Sequence, residues 1–417
     1  MRTPAMTRGL LHTAWALWLI VSAPTAGAQE WTRFRGPNGA GRGKGEAIPA
    51  RWTQDDYLWK VKLPGGGHGS PVLWGERIFL ICANERTAAR IVVCLNAKDG
   101  SVRWQREYAS PKSRMNRLNH YGATTPAVDA DRLYVAWSSR KSIVLRALDH
   151  EGKDLWDRDL GAHRSQHGPC TSPMVFEDTV VMTNDQQGES FLLAVSTATG
   201  ETRWKLPRTA GRAAYSTPCI RRTKAGETEL ITTSTADGIT AVDPRSGRVL
   251  WAEKTAMPLR CVGSPALAGD LVIAASGTGP RGNLVAVRAT GGQAAKVAYR
   301  FTTNAPYVPC PLVVGERMFL FGDAGHVTCL RTATGKLIWQ EKVADRFFGS
   351  PVLAGGRIYC IARKGNVYVL EPADEYKLLA KIPLGEESFA TPAVAGGRMY
   401  LRTVNHLIAI GQDKPGR

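Results

Sequence analysis

The sequence lacks most of the signatures that mark enzymes and membrane-spanning proteins. After the first 28 residues no run is apolar for long enough to cross a bilayer. There is no Gly-x-Ser-x-Gly and no His-Glu-x-x-His, so neither a nucleophile elbow nor a zinc-protease helix is encoded. "GTGPRG", Gly277 to Gly282, is glycine-rich but lacks the Lys and Ser/Thr of a phosphate loop, and reads as a hairpin turn. The eight cysteines contain no C-x-x-C pair and no two neighbours, which excludes the usual cysteine metal knuckle. No apolar period of 3.6 residues is sustained, which argues against helical repeats. Acidic residues are also scarce, 36 against 54 Lys and Arg, for a formal net charge of +18.

The N-terminus has a separate character. Arg2 and Arg8 precede an apolar stretch from Leu10 to Val21, interrupted by His12, and Ala26-Gly27-Ala28 follows. This order predicts a secretory signal peptide over residues 1–28, cleaved near Ala28. No cysteine stands at that site, so no lipid anchor is expected. Loss of Arg2 and Arg8 leaves +16 (18 − 2) on the mature chain. That excess favours anionic neighbours, here an envelope polymer or, by peripheral contact, lipid head groups. Nucleic acid is not indicated, because no nucleic-acid motif accompanies the charge. Export to the periplasm or cell envelope permits disulfides. Cys82 and Cys94 flank one hairpin and are the best candidate pair, while the others read as small core residues.

What is present in abundance is a repeat. A Ser/Thr-Pro step followed by a short apolar segment places prolines at 71, 126, 173, 218, 265, 311, 351 and 392, with Cys310 replacing Ser/Thr once. A second signal is a Gly followed four residues later by Trp: Gly100/Trp104, Gly152/Trp156, Gly200/Trp204, Gly247/Trp251 and Gly335/Trp339. Tyr299 and Leu379 hold the Trp place in two degenerate copies. Periods of this length indicate a solenoid, propeller or array. Each unit reads as four short strands, which is a propeller blade. The expected fold is therefore all-β, an eight-bladed β-propeller of four-stranded antiparallel blades over residues 57–411. The proline suits an innermost strand whose edge faces the channel unpaired. The Trp suits the gap between blades. The last unit ends without a Trp strand, and "YLWKVKL", Tyr57 to Leu63, supplies it. The N-terminal strand should thus close the ring. Residues 29–56 read as an extended strap pinned by Trp31 and Phe34, and residues 412–417 as a tail.

The units "AVSTATGETRW" (Ala194 to Trp204), "AVDPRSGRVLW" (Ala241 to Trp251) and "CLRTATGKLIW" (Cys329 to Trp339) resemble the quinoprotein-type, or PQQ-like, β-propeller repeat family. "WTRFRGPNG", Trp31 to Gly39, looks like the lead-in of its exported members. The resemblance covers nearly all of the mature chain and implies one of two functions. One is that of the BamB branch, non-catalytic propellers that assist outer-membrane barrel assembly. The other is that of the PQQ-dependent alcohol dehydrogenases, which use PQQ with calcium. The dehydrogenase branch places an adjacent Cys-Cys pair beside the quinone, and no such pair exists here. No catalytic, cofactor or metal residues are assigned from the motifs. A hydrolase or lyase working at the channel mouth is a third class.

Propeller sites lie at the channel mouth, on loops entering the innermost strands. Those loops carry His68, His120, Tyr121, His167, Tyr215, Arg260, Tyr307, Phe348 and Phe389. They read as a plug of the channel, as a mouth that binds an envelope protein or polymer, or as a three-histidine metal site, for which no fixed ligand spacing is present. The loop Ser110 to Thr125 is the longest between blades and contributes Lys112, Arg114 and Arg117.

Overall fold

The computed structural model describes residues 30–43, 48–168, 171–235, 237–254, 257, 259–278, 281–290 and 294–412. The expected signal peptide, Cys170 and the tail after Gln412 lie outside them. The strands form eight antiparallel sheets arranged as a propeller, and the described helices are two short 3-10 turns, Pro37–Gly39 and Gln54–Asp56. Blade one runs outward through Val72–Trp74, Arg77–Ala83, Arg90–Asn96 and Val102–Tyr108. The other innermost strands, in blade order, are Ala127–Val128, Met174–Phe176, Cys219–Arg222, Ala266–Ala268, Leu312–Val314, Val352–Ala354 and Ala393–Ala395.

Ring closure occurs as the repeat requires. Trp59–Lys62 pairs with His406–Gly411, in the register Trp59↔Ala409, and becomes the outer strand of blade eight.

The prolines work differently from the expectation of a proline within a free edge. Each one stands immediately before its innermost strand. The preceding residue then links neighbouring blades. The backbone N–H of Ser70 donates to Thr125 Oγ1 (2.9 Å), that of Thr125 to Ser172 Oγ (3.0 Å), and that of Thr217 to Ser264 Oγ (2.9 Å). Ser264 donates to Cys310 Sγ (3.1 Å), Cys310 to Ser350 Oγ, Ser350 to Thr391 Oγ1, and Thr391 back to Ser70 Oγ. A side-chain acceptor thus stands before seven of the prolines in these links, and the Cys310 sulfur fills that role in blade six.

The Gly–Trp coupling also has a structural cause. The Trp of one blade lies on the turn glycine of the next. A Cβ on Gly152 would stand 2.7 Å from the Trp104 ring, and its positive φ independently favours glycine. Trp104 Nε1 donates to the His150 carbonyl at 2.8 Å, and Trp156 to that of Thr197 at 2.9 Å. A β-bulge immediately before the Trp aims it: Trp104 pairs with Cys94 but Val102 with Leu95. The same shift precedes Trp156, Trp204, Trp251, Tyr299 and Trp339.

In blade seven the shift places Ala380, not Leu379, in the Trp position opposite Val369. Leu379 is the bulged residue. The strap compensates. Trp52 stacks on Tyr359 (centroids 6.4 Å apart), in the place where Trp156 packs at a tilt on Tyr134 and Trp59 on Tyr400.

Cys82 and Cys94 are not bridged; both are free and buried. Side chains alternate across a strand, and these two fall on opposite faces of the blade. Cys82 packs with Ile78, Leu80 and Val93 towards blade eight, and Cys94 with Phe79 and Val92 towards blade two.

Candidate functional site: the two ends of the channel

The strap enters the channel rather than skirting it. Glu30–Trp31 pairs antiparallel with Val72–Trp74, so the chain rises toward the mouth as a fifth strand on blade one. The Thr32 carbonyl accepts the Val128 N–H at 2.9 Å. Phe34 marks the apex beneath the mouth. The chain then descends: Asn38 brackets Ile220, accepting its N–H and donating to its carbonyl, both at 2.7 Å. Gly41 and Gly43 bond the backbone of Leu353 at 2.7 and 2.8 Å. The innermost edges are thus partly paired, not free.

Two arginines anchor this hairpin on the axis. Arg33 donates to the Pro218 carbonyl and Met174 Sδ. Arg35, fully buried, donates to the carbonyls of Gly39 (3.2 Å), Pro311 (3.1 Å) and Pro351 (3.2 Å). No carboxylate is paired with either among the described residues. Burial pulls Arg33 down to about 10 and lowers Arg35 also. Arg33 therefore stays charged at neutral pH, its charge met by backbone dipoles. Gly36 lies against the Trp31 ring, where a Cβ would stand 2.5 Å away.

Above Phe34 the mouth opens as a cavity of about 680 Å³. His68, His167, Tyr215, Tyr307, Phe348 and Phe389 line it, whereas His120, Tyr121 and Arg260 stand behind the wall. His68 stacks on Phe389 (4.0 Å between centroids) and leans on His120 (5.2 Å). Burial, with His120, Arg402 and Arg363 nearby, pushes His68 down to about 2, so its ring is neutral. His120 Nδ1 accepts the Gly122 N–H at 2.9 Å, leaving Nε2–H for Glu85 Oε1 at 2.9 Å. Tyr121 sits under the Arg90 guanidinium, and its hydroxyl bonds the backbone of Ser113.

Across the mouth, Arg260 Nη1 donates to His167 Nε2 at 2.6 Å and to the Tyr307 hydroxyl at 3.3 Å. His167 is lowered by burial and then by Arg260. The Tyr215 hydroxyl meets Ser165 Oγ at 2.5 Å. The three expected histidines do not converge. His68 and His120 form one pair, and His167 belongs to the Arg260 cluster.

Sequence reasoning missed several lining residues. The long loop contributes Asn116, Leu118 and Asn119, not its cations, and Asn119 donates to the His167 carbonyl at 2.7 Å. Asp323, Lys342, Arg346 and Arg363 come from blades six and seven. Arg363 covers Phe348 and Phe389, 4.9 and 5.5 Å from their centroids. Asp323 is pushed up to about 6 by burial, against the N–H groups of Tyr307 and Val308 that it accepts. These residues lie on turns between the second and third strands or on outer-strand ends, where no repeat signal points to the axis. Arg33 and Arg35 were also unmarked, and two arginines two residues apart beside Trp31 were their only trace.

Comparison with known proteins bears on what this mouth serves. A family described as outer membrane protein assembly factor BamB matches residues 41–149, 140–306 and 298–378. The outer membrane protein assembly factor BamB of Yersinia pestis is 23% identical over 373 residues, 75% of this chain and 87% of that protein. The crystal structure of BamB from Moraxella catarrhalis superposes with a TM-score of 0.60 at 16% identity, covering 86% of this chain and 97% of that one. The quinohemoprotein alcohol dehydrogenase of Comamonas testosteroni superposes with a TM-score of 0.63 at 13% identity, covering 93% and 82%. At these identities the two structures establish the shared fold alone.

Proposed function

The chain belongs to the family of the outer membrane protein assembly factor BamB, and we propose that it is an exported, non-enzymatic propeller serving outer-membrane protein assembly. In this reading the channel mouth holds a segment of a partner protein. The observation that carries it is the mouth itself, in a chain of this family: an aromatic rim of Tyr215, Tyr307, Phe348 and Phe389, with Arg346 and Arg363 beside it. Aromatic and arginine side chains dominate binding hot spots. The surplus of basic groups adds attraction for acidic protein or polymer surfaces.

A quinone held with calcium is the alternative that the fold allows, and the mouth residues fit it poorly. The lining carboxylate, Asp323, is committed to two backbone N–H groups. Among the described residues no group of three or more His, Cys, Asp or Glu could hold a metal.

The test is affinity purification of the tagged chain from its native envelope, alongside a Phe348→Ala/Arg363→Ala variant. Wild type should retain an outer-membrane assembly protein, and the variant should lose it at unchanged folding. Stoichiometric PQQ uptake with dye-linked alcohol oxidation, in the presence of calcium, would overturn the reading.

A further inference from the structure

The end of the channel opposite the mouth holds a second opening, of about 830 Å³, between the strap and blades five and six. Its wall includes the innermost strand of blade five, Ala266–Ala268, together with Asn38, Gly39, Ala40 and Arg42 of the strap. The register of the other blades shows what this wall offers. In each blade the second residue after the proline is a potential strap contact, and in five blades the strap takes it. Leu73 pairs with Trp31, and Val128 donates its N–H to Thr32. Ile220 exchanges both groups with the Asn38 side chain, Val313 accepts from Arg42, and Leu353 bonds Gly41 and Gly43.

The equivalent in blade five is Leu267. No strap bond reaches it among the described residues, and it lines the opening. Ala266–Ala268 is also the innermost strand in which every residue is half-exposed. An edge strand with a free N–H and C=O is a template for another extended chain.

The charge around the opening narrows the occupant. Arg288 is paired with Asp270 at 2.5 Å, and Arg331 with Asp374 at 3.2 Å and Glu316 at 3.5 Å. Arg42, exposed, donates to the Val313 carbonyl and has no carboxylate partner among the described residues. It is the cation left to meet an anion.

We propose that this opening takes an extended, acidic peptide segment of a partner protein, which adds to the Leu267 edge and sets a carboxylate against Arg42. The site lies at the opposite end of the axis from the mouth, so it stands or falls separately from the mouth reading.

The probe is the blocked peptide acetyl-Thr-Val-Glu-Val-Thr-amide, fluorescein-labelled, titrated into the full chain by anisotropy. Three comparisons accompany it: the same peptide N-methylated at both valines, a Lys-for-Glu version, and the protein variants Leu267→Pro and Arg42→Glu. The acidic peptide should bind wild type at least tenfold tighter than the N-methylated one. Leu267→Pro should lose that difference, and Arg42→Glu should reverse the Glu-over-Lys preference. Hydrogen–deuterium exchange gives a reading that does not require a variant to fold. The 263–270 segment should slow on adding peptide, with the mouth loops unchanged. Absence of wild-type binding, equal binding by the N-methylated peptide, or protection only at the mouth would each overturn the proposal. So would binding by a chain starting at Gln29 but not by one starting at Met1, which would make the chain's own leading residues the occupant.

Discussion

Where the strap crosses the channel the side chains on the axis are guanidiniums, whereas His68 and His167 at the mouth are imidazoles pushed toward the neutral form. Arg33 and Arg35 are more deeply buried than His68 or His167, yet Arg33 keeps its proton at neutral pH. The first difference is intrinsic, since a guanidinium starts from a far higher pKa than an imidazole, and the partners at each end add to it. Carbonyls of the pre-strand prolines converge on the guanidiniums, and a carbonyl dipole favours a donor that carries charge. At the mouth, burial is the main force against a charge on His68, and His120, Arg402 and Arg363 add to it. One end is thus built for permanence. The other is an apolar and basic surface around an open cavity, bridged by contacts such as those of Arg260 with His167 and Tyr307.

The largest effect should come from removing that permanence. A chain starting at Pro64 lacks both the strap and the strand that completes blade eight. It should show no cooperative thermal transition by circular dichroism, whereas Phe348→Ala/Phe389→Ala at the mouth should melt close to wild type. A sharp transition in the truncated chain would mean that the two ends do not differ as described.

Arg35→Leu is the next test. It removes donors from three buried carbonyls, and an orphaned buried acceptor costs ~1–3 kcal/mol. A loss of roughly 3 kcal/mol or more in urea denaturation is expected. An unchanged midpoint would make the strap a passive filler.

The smallest effect is the pH dependence of the mouth. His68 is held at about 2 when folded but ionises near 6.5 when unfolded. Its contribution is therefore complete above pH ~6.5 and declines as pH falls toward the folded value, by at most ~1.4 kcal/mol per pH unit. Asp323, raised to about 6, acts in the opposite sense, because the folded state takes its proton first. The difference between His68→Phe and wild type isolates the histidine. The variant's denaturation midpoint should fall less between pH 6.5 and 5. Parallel pH profiles would show that His68 is not held neutral.

The periodic part of this architecture was readable because one geometry is used eight times. A proline recurring before each innermost strand, and a glycine that must lie under a tryptophan, write the same contact into the sequence repeatedly. Closure was readable for the same reason: Trp59 carries the repeat signature in the wrong half of the chain. What was not readable is used once. The bulge that moves Ala380 into the Trp place has no signature of its own, so Leu379 took that place by simple spacing. Cys82 and Cys94 are near in sequence, but the parity of the strand register separates them. The strap's route depends on carbonyls supplied by blades nearly three hundred residues downstream, as Arg35 and Pro311 illustrate. Of the mouth, the entering loops could be named in advance. Which of their side chains face the cavity could not, because that depends on rotamer and on neighbours such as Arg260 and Arg363.

The pairing of Trp59 with Ala409 spans 350 positions (409 − 59), and it dictates a timetable. A growing chain cannot zip this sheet until the strand His406–Gly411 has been made. Until then the outer strand Trp59–Lys62, made early, has no partner to pair with. Such long-range pairings form slowly, since the entropy of closing the loop is lost before the contact can reward it. The same clasp that secures the finished molecule therefore leaves the growing chain open, and an unfinished copy, with unpaired strand edges, is a natural substrate for proteases.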